Sequence, residues 1–275
     1  MLLGLNGATT IRADLETDIR VARGAGYTHL EVWAAKLDAY LTTGTLSALK
    51  ALLAENGLQA VSINAVENIT FQPPEKFAHV QQLCATLCER AKAIGCPFVI
   101  VVPSPLPTPS IGQEEIRQES IAKLTCLLDI AKSNGVGLAF EFLGEPACSV
   151  RTLAFANEIV EAIGDPNLGL VLDTFHFYSG GSSLDSISQV DPKRLFIVHL
   201  NDSEDMPLET LRDEHRLLPG EGVIPLHDIL TRLKGIAYQG VYSIELFRPE
   251  YYDWEPSRLV TEAKARMVSL LNQVA

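Results

Sequence analysis

The sequence predicts an α/β protein built as a single (β/α)8 TIM barrel. Eight short apolar stretches alternate with segments of helical character, joined by mostly tight connections, which is the rhythm of parallel βα units. The length of 275 residues suits one barrel of roughly 250 residues, so residues 1–275 are read as one domain. The turn after the first strand, GLNGATT, is not a glycine-rich dinucleotide fingerprint, so a closed barrel is favoured over a doubly wound sheet.

The first strand is Leu2 to Asn6. Asp14 then caps a helix running to about Arg23, with Gly24 and Gly26 at its end. The second strand is THLEVW, carrying Glu31, and the helix from Leu46 to Glu55 stops at Asn56-Gly57. The third strand, LQAVSIN, ends in Asn64, and a long helix from Glu75 to Ile94 is closed by Gly95. The fourth strand, Pro97 to Pro103, is a β-branched run of the kind buried on both faces. PSPLPTPSIG is too rich in proline for regular structure and leads to a helix from Glu114 to Asn134. The fifth strand opens GLAFEFLGEP and carries Glu141; a helix from Leu153 to Ile163 follows. The sixth strand is Leu168 to Asp173 and the seventh Leu195 to Asn201. A long charged loop, Asp202 to Val223, precedes a helix from Leu226 to Leu233. The eighth strand is Val241 to Leu246, and Ser257 is expected to cap a last helix reaching almost to Ala275.

The net charge is −12, which argues against nucleic acid as a partner, since that binding relies on Lys and Arg neutralising phosphates. Five cysteines, an odd number with no CxxC pair, suggest a reducing compartment, and a cytoplasmic protein is expected. Cys84 and Cys88 share a helix face and read as apolar packing. The opening MLLGLNGATT has no basic start, so no signal peptide is expected, and no run has the length of a membrane-crossing helix. The 47% apolar content leaves surface for a homo-oligomer without requiring one.

Four consecutive strands each end in one metal-competent side chain: Glu141, Asp173, His199 and Glu245. Singly, each has a plain alternative as a salt-bridge partner, a helix cap or a core histidine. Together, at the C-terminal end of a barrel, three carboxylates would repel one another unless a cation joined them. Three oxygens and one imidazole suit Mn, Co, Zn, Mg or Fe, so one divalent ion is expected there. His176, three residues after Asp173, reads as a substrate hydrogen bond or proton shuttle. Asp202, three after His199, reads as a group beside the substrate or behind a ligand. Arg216 and Arg248 could each hold a substrate oxygen or form a surface salt bridge. Glu31, Trp33, Asn64, Phe71 and Trp254 are candidates for the pocket wall.

The segments LVLDTFHF, HLNDSED, LPGEGVI and ELFRPEYY, with the opening LNGATT, resemble the xylose isomerase-like barrel superfamily over nearly the whole chain. The strongest likeness is to its inosose (2-keto-myo-inositol) isomerase branch, carried by LVLDTFHF and ELFRPEYY. The resemblance implies that Glu141, Asp173, His199 and Glu245 ligate the metal, and that His176 and Arg216 meet the substrate. It implies a cytoplasmic isomerase of inositol catabolism, a branch of carbohydrate metabolism. Its reaction would interconvert 2-keto-myo-inositol and 1-keto-D-chiro-inositol through an enediolate, with Glu141 and Glu245 moving the proton, His176 a further candidate, and the order of the two glutamates open. The same site could instead serve a ketose 3-epimerase or a dehydroshikimate dehydratase-type lyase. An endonuclease of the superfamily is disfavoured, because it needs more strand-end histidines. A barrel that merely binds a cyclitol or metal is the non-enzymatic alternative.

Overall fold

The computed structural model describes residues 1–274. Eight parallel strands form a closed barrel: β1 (Leu2–Asn6), β2 (His29–Trp33), β3 (Gln59–Val66), β4 (Phe98–Val101), β5 (Gly137–Glu141), β6 (Leu168–Asp173), β7 (Leu195–Leu200) and β10 (Val241–Ile244). The ring closes where β10 pairs with β1. Two short strands, β8 (Asp202–Ser203) and β9 (Arg216–Leu217), form an antiparallel ribbon within the long charged loop.

Helices cover the outside: α1 (Leu15–Ala25), α2 (Ala34–Tyr40), α3 (Leu46–Glu55), α4 (Pro74–Ile94), α5 (Gln113–Ser133), α6 (Leu153–Ile163), α7 (Thr174–Ser179), α8 (Leu184–Ile187), α9 (Leu226–Gly235) and α10 (Pro256–Gln273). Asp14 caps α1 as expected, its carboxylate accepting from the Thr17 amide at 2.7 Å. Gly95, at φ 76°, ends α4 in the left-handed conformation that glycine adopts without a Cβ penalty. The last helix departs from expectation. Its cap is Glu255, which accepts from the amides of Ser257 and Arg258, while Ser257 lies inside the helix behind Pro256. Ala275, where that helix was expected almost to end, lies outside the described residues. Helix α7 was not expected, because Thr-Phe-His-Phe-Tyr-Ser has weak helix propensity. It forms because Asp173 caps it, Oδ1 accepting from the His176 amide at 2.9 Å.

Two apolar layers follow from the period-two alternation of strand side chains. One side of the strands packs against the helices in a large continuous core. The other fills the lower barrel with Val61, Ile100, Ala139, Val171, Ile197 and Val241, closed beneath by Phe98 stacked on Phe196 at 4.2 Å. One inward step above Ala139, Val171 and Ile197 stand Glu141, Asp173 and His199. The polar set is therefore the next layer up a packed column, at the C-terminal end of the strands.

A buried ion pair braces the rim near β1 and β2. Lys36 Nζ donates to Asp18 Oδ1 and Oδ2 at 2.8 and 2.7 Å and to the Thr10 carbonyl at 2.8 Å, with both side chains almost wholly enclosed. Burial pushes Asp18 up to about 6 and Lys36 below its ordinary value, against the attraction within the pair. Removing one partner strands the other charge. Lys36→Met is expected to cost about 3–5 kcal/mol in denaturant unfolding, and adding Asp18→Asn to recover more than half of that loss.

Candidate metal centre and active site

Glu141, Asp173, His199 and Glu245 converge at the barrel mouth, each offering one ligand atom within 4.8 Å of all the others. All four are buried. His199 Nδ1 lies 3.1 Å from Glu141 Oε1, 3.1 Å from Glu245 Oε2 and 3.7 Å from Asp173 Oδ2. Bonds of about 2.0–2.2 Å to a common ion place neighbouring ligand atoms roughly 3.0–3.5 Å apart, so the spacing fits a divalent cation. The chemistry fits as well, since one imidazole nitrogen cannot answer three carboxylates. Glu245 belongs to the turn immediately after β10 rather than to the strand itself.

The electrostatics record the crowding. Burial pushes the Glu141 carboxyl up, aided by the nearby Glu245 and Asp173 charges and opposed by His199. Burial also works against ionised Asp173, yet Arg216, His176 and His199 overcome it and hold the group at about 2. His199 stands well above an ordinary histidine, the surrounding carboxylates outweighing the cost of burial.

Arg216 is the hub of the upper shell. Nη1 donates to Asp173 Oδ2 at 2.6 Å and Glu245 Oε2 at 3.1 Å. Nη2 reaches His176 Nε2 at 3.0 Å and Asp213 Oδ1 at 2.8 Å, and Nε reaches the same Asp213 oxygen at 3.0 Å. The rings of Phe175 and Phe247 each lie 5.1 Å from the guanidinium carbon. Every nitrogen of Arg216 is thus engaged inside the protein, which makes it a holder of other side chains. Arginine only donates, so His176 Nε2 accepts. The proton of a neutral His176 then sits on Nδ1, which is buried and has no hydrogen-bond partner among the described residues.

A cavity of about 270 Å³ opens above this floor, lined by Glu141, Glu245, His176 and Arg216, by Asn64, Glu67, Glu145 and Asp213, and by the apolar faces of Trp33 and Phe247. Its size is below the roughly 300–1,000 Å³ usual for drug-sized ligands and suits one small molecule. A larger depression of about 850 Å³ lies at the opposite end of the barrel, against Leu58, Phe98 and Phe196. Among the described residues it holds no cluster of ligating groups, and barrel chemistry is built at the C-terminal face.

Several expected residues are placed elsewhere. Asp202, expected to meet substrate, lies outside the cavity. Its buried carboxylate accepts from the amides of Ser203, Gly220 and Ile224 and staples the loop. A charge with three backbone donors around it is already satisfied. Gly222 packs so closely beneath this staple that a Cβ there would collide with the Ser203 carbonyl oxygen. Arg248 pairs with Glu204 at 2.6 Å and Glu250 at 3.2 Å, also away from the cavity. Trp33 and Asn64 line the wall as expected, whereas Phe71 and Trp254 do not. Glu31 lies below the mouth, wholly buried against His199. Sequence reasoning missed Asp213 and the amide donors Asn6 and Asn201. Asn6 follows an apolar strand run as the acidic residues do, and that signal could have found it; Asp213 sits in a loop crowded with charges and offers none.

The xylose isomerase-like TIM barrel family model matches residues 19–269. The chain belongs to this family. An inosose isomerase of Halalkalibacterium halodurans is 37% identical over 275 residues, covering 99% of this chain and 97% of that protein. Another, from Bacillus subtilis, is 36% identical and covered at 99% on both sides. Among solved structures, a crystal structure of IolI protein with a bound zinc atom superposes with a TM-score of 0.97 at 35% identity, covering all of this chain and 99% of that one. With such full-length relatives the chain is an enzyme of the isomerase class. Among the described residues no helix is long and apolar enough to cross a membrane.

The purified chain is expected to carry close to one divalent ion per molecule by elemental analysis after growth in metal-replete medium. His199→Ala should lose most of it while retaining the far-ultraviolet circular dichroism of the parent.

Proposed function

We propose that the chain is a divalent-metal-dependent inosose isomerase, interconverting 2-keto-myo-inositol and 1-keto-D-chiro-inositol. The observation that carries this reading is a cation-suited donor set at the floor of a small, carboxylate-lined cavity, and the named relatives support it. The bound cation would supply Lewis-acid chemistry, polarising the ketone and its neighbouring hydroxyl and easing enediolate charge. Glu141, Asp173, His199 and Glu245 would hold it.

The two glutamates are not equivalent. Glu245 Oε1 accepts from Asn6 at 2.9 Å and Asn64 at 3.0 Å, and Oε2 accepts from Arg216. Glu141 meets His199 through Oε1, and no donor among the described residues reaches its Oε2. We assign Glu141 as the base. It takes the proton from the carbinol carbon and returns it to the former carbonyl carbon on the same face of the ring. Glu245, held on both oxygens, keeps its place in the donor set. The hydroxyl proton passes from the oxygen that becomes carbonyl to the neighbouring oxygen that becomes hydroxyl, beside His176 in the cavity wall. Trp33 and Phe247, in edge contact at 5.8 Å, give the ring C–H groups an apolar wall.

The charge pattern favours a neutral polyol. Glu67, Glu145 and Asp213 join the acidic floor, and Arg216, the arginine of the lining, has no free donor. A carboxylate substrate such as 3-dehydroshikimate would meet repulsion there.

Proton NMR of 2-keto-myo-inositol in deuterated water with metal-loaded enzyme is expected to show a second inosose. Glu141→Gln should slow its appearance by about 10²–10⁴-fold. Solvent exchange without a new inosose would move the substrate to another ketose. An ultraviolet-absorbing product from 3-dehydroshikimate would overturn the isomerase reading in favour of a lyase.

A further inference from the structure

Glu31 is a wholly buried carboxylate that the proposed chemistry does not use. It lies on β2, beside Asn6 of β1 and Ser62 of β3. Its oxygens stand 3.0 and 3.1 Å from His199 Nε2, and Ser62 Oγ donates to Oε2 at 2.7 Å. No solvent reaches it. A buried carboxylate is costly unless paired and hydrogen-bonded, and its one charged neighbour is the far side of the histidine in the donor set. The two ring nitrogens of His199 therefore face different partners. Nε2 faces Glu31, and Nδ1 faces Glu141, Glu245 and Asp173.

We propose that Glu31, supported by Ser62, is the positioning residue of the metal centre. By accepting from Nε2–H it fixes the imidazole plane and tautomer, so that the Nδ1 lone pair points to the three carboxylates. A carboxylate behind a ligating imidazole also makes that nitrogen a stronger donor. This inference rests on the reading of the four groups as metal ligands, but not on the identity of the substrate. The β2–β3 register carries it: Glu31 and Ser62 are partner positions, so the donor that orients the carboxylate comes from the adjacent strand.

The test is Zn2+ affinity, measured by competition with a chromophoric chelator on the full chain, with no substrate present. Glu31→Ala is expected to weaken Zn2+ binding by about 10–100-fold. Glu31→Gln should lose much less, because its amide oxygen can still accept from Nε2–H while its NH2 turns to Ser62. The Co2+-loaded parent should also show a slowly exchanging, hyperfine-shifted imidazole N–H signal, lost to fast solvent exchange in Glu31→Ala and retained in Glu31→Gln. If Glu31→Ala does not fold, Ser62→Ala takes its place, with a smaller weakening expected and faster N–H exchange than in the parent. Parent-like Zn2+ affinity in a folded Glu31→Ala would overturn the proposal. Equal losses in the Ala and Gln variants would also overturn it, since they would make the effect one of charge rather than orientation. A parent chain that binds no Zn2+ would instead remove the metal reading itself.

Discussion

Three buried carboxylates held within a few ångströms at the barrel mouth are the constraint on which the rest of the structure depends. Like charges so placed raise one another's proton affinity, and burial adds to it. The chain answers with fixed donors. Asn201 gives its amide to Asp173 at 2.8 Å, Asn6 and Asn64 give theirs to Glu245, and Arg216 bridges the two acids. Arg216 is itself immobilised, buried between two aromatic rings with Asp213 at its back. Much of the polar sequence at the strand ends and in the long charged loop thus serves to hold four side chains in a place where a cation is welcome.

The same constraint explains what could be read from sequence. A charged residue ending an apolar strand is an anomaly visible in one dimension, so Glu141, Asp173, His199 and Glu245 stood out, and the βα rhythm placed them on one rim. The barrel closes by β1–β10 pairing, as eight such units require. Glu31 showed the same anomaly, but its meaning depended on register. Only the pairing of β2 with β3, and the reach across the barrel to β7, reveal that it meets His199 instead of the cavity. Asp202 misled for a related reason. Three residues after a strand-end histidine it looked poised at the mouth, yet the ribbon of β8 with β9 turns it into the loop, where backbone amides claim it.

Helix α7 and Asp213 mark a second limit. Propensity reports a residue's average behaviour, and the six residues of α7 are poor on average. The deciding term is the Asp173 carboxylate, one of whose oxygens caps the helix while the other faces Arg216 and Asn201. A single side chain therefore couples the site to the local fold, and His176 reaches the cavity wall because of it. Asp213 belongs to a short turn in a loop rich in charge, where no periodicity distinguishes one acid from the next.

Strand order accounts for the difference between the two glutamates. Glu245 follows β10, whose neighbours are β1 and β7. Asn6 ends β1 and gives its amide to the Glu245 carboxylate; Asn201 follows β7 and gives its own to the Glu245 carbonyl. Glu141 ends β5, between β4 and β6. On the β4 side the chain continues as Val102 and Pro103, with no side-chain donor to offer, and on the β6 side stands another acid, Asp173. One glutamate is therefore fixed from its neighbouring strand and from across the mouth, while the other keeps an oxygen that no donor among the described residues reaches. That asymmetry was laid down when an amide-bearing residue came to end β1 and an apolar run to end β4. It gives two carboxylates of the same kind different work to do in one cavity, with no difference in their own side chains.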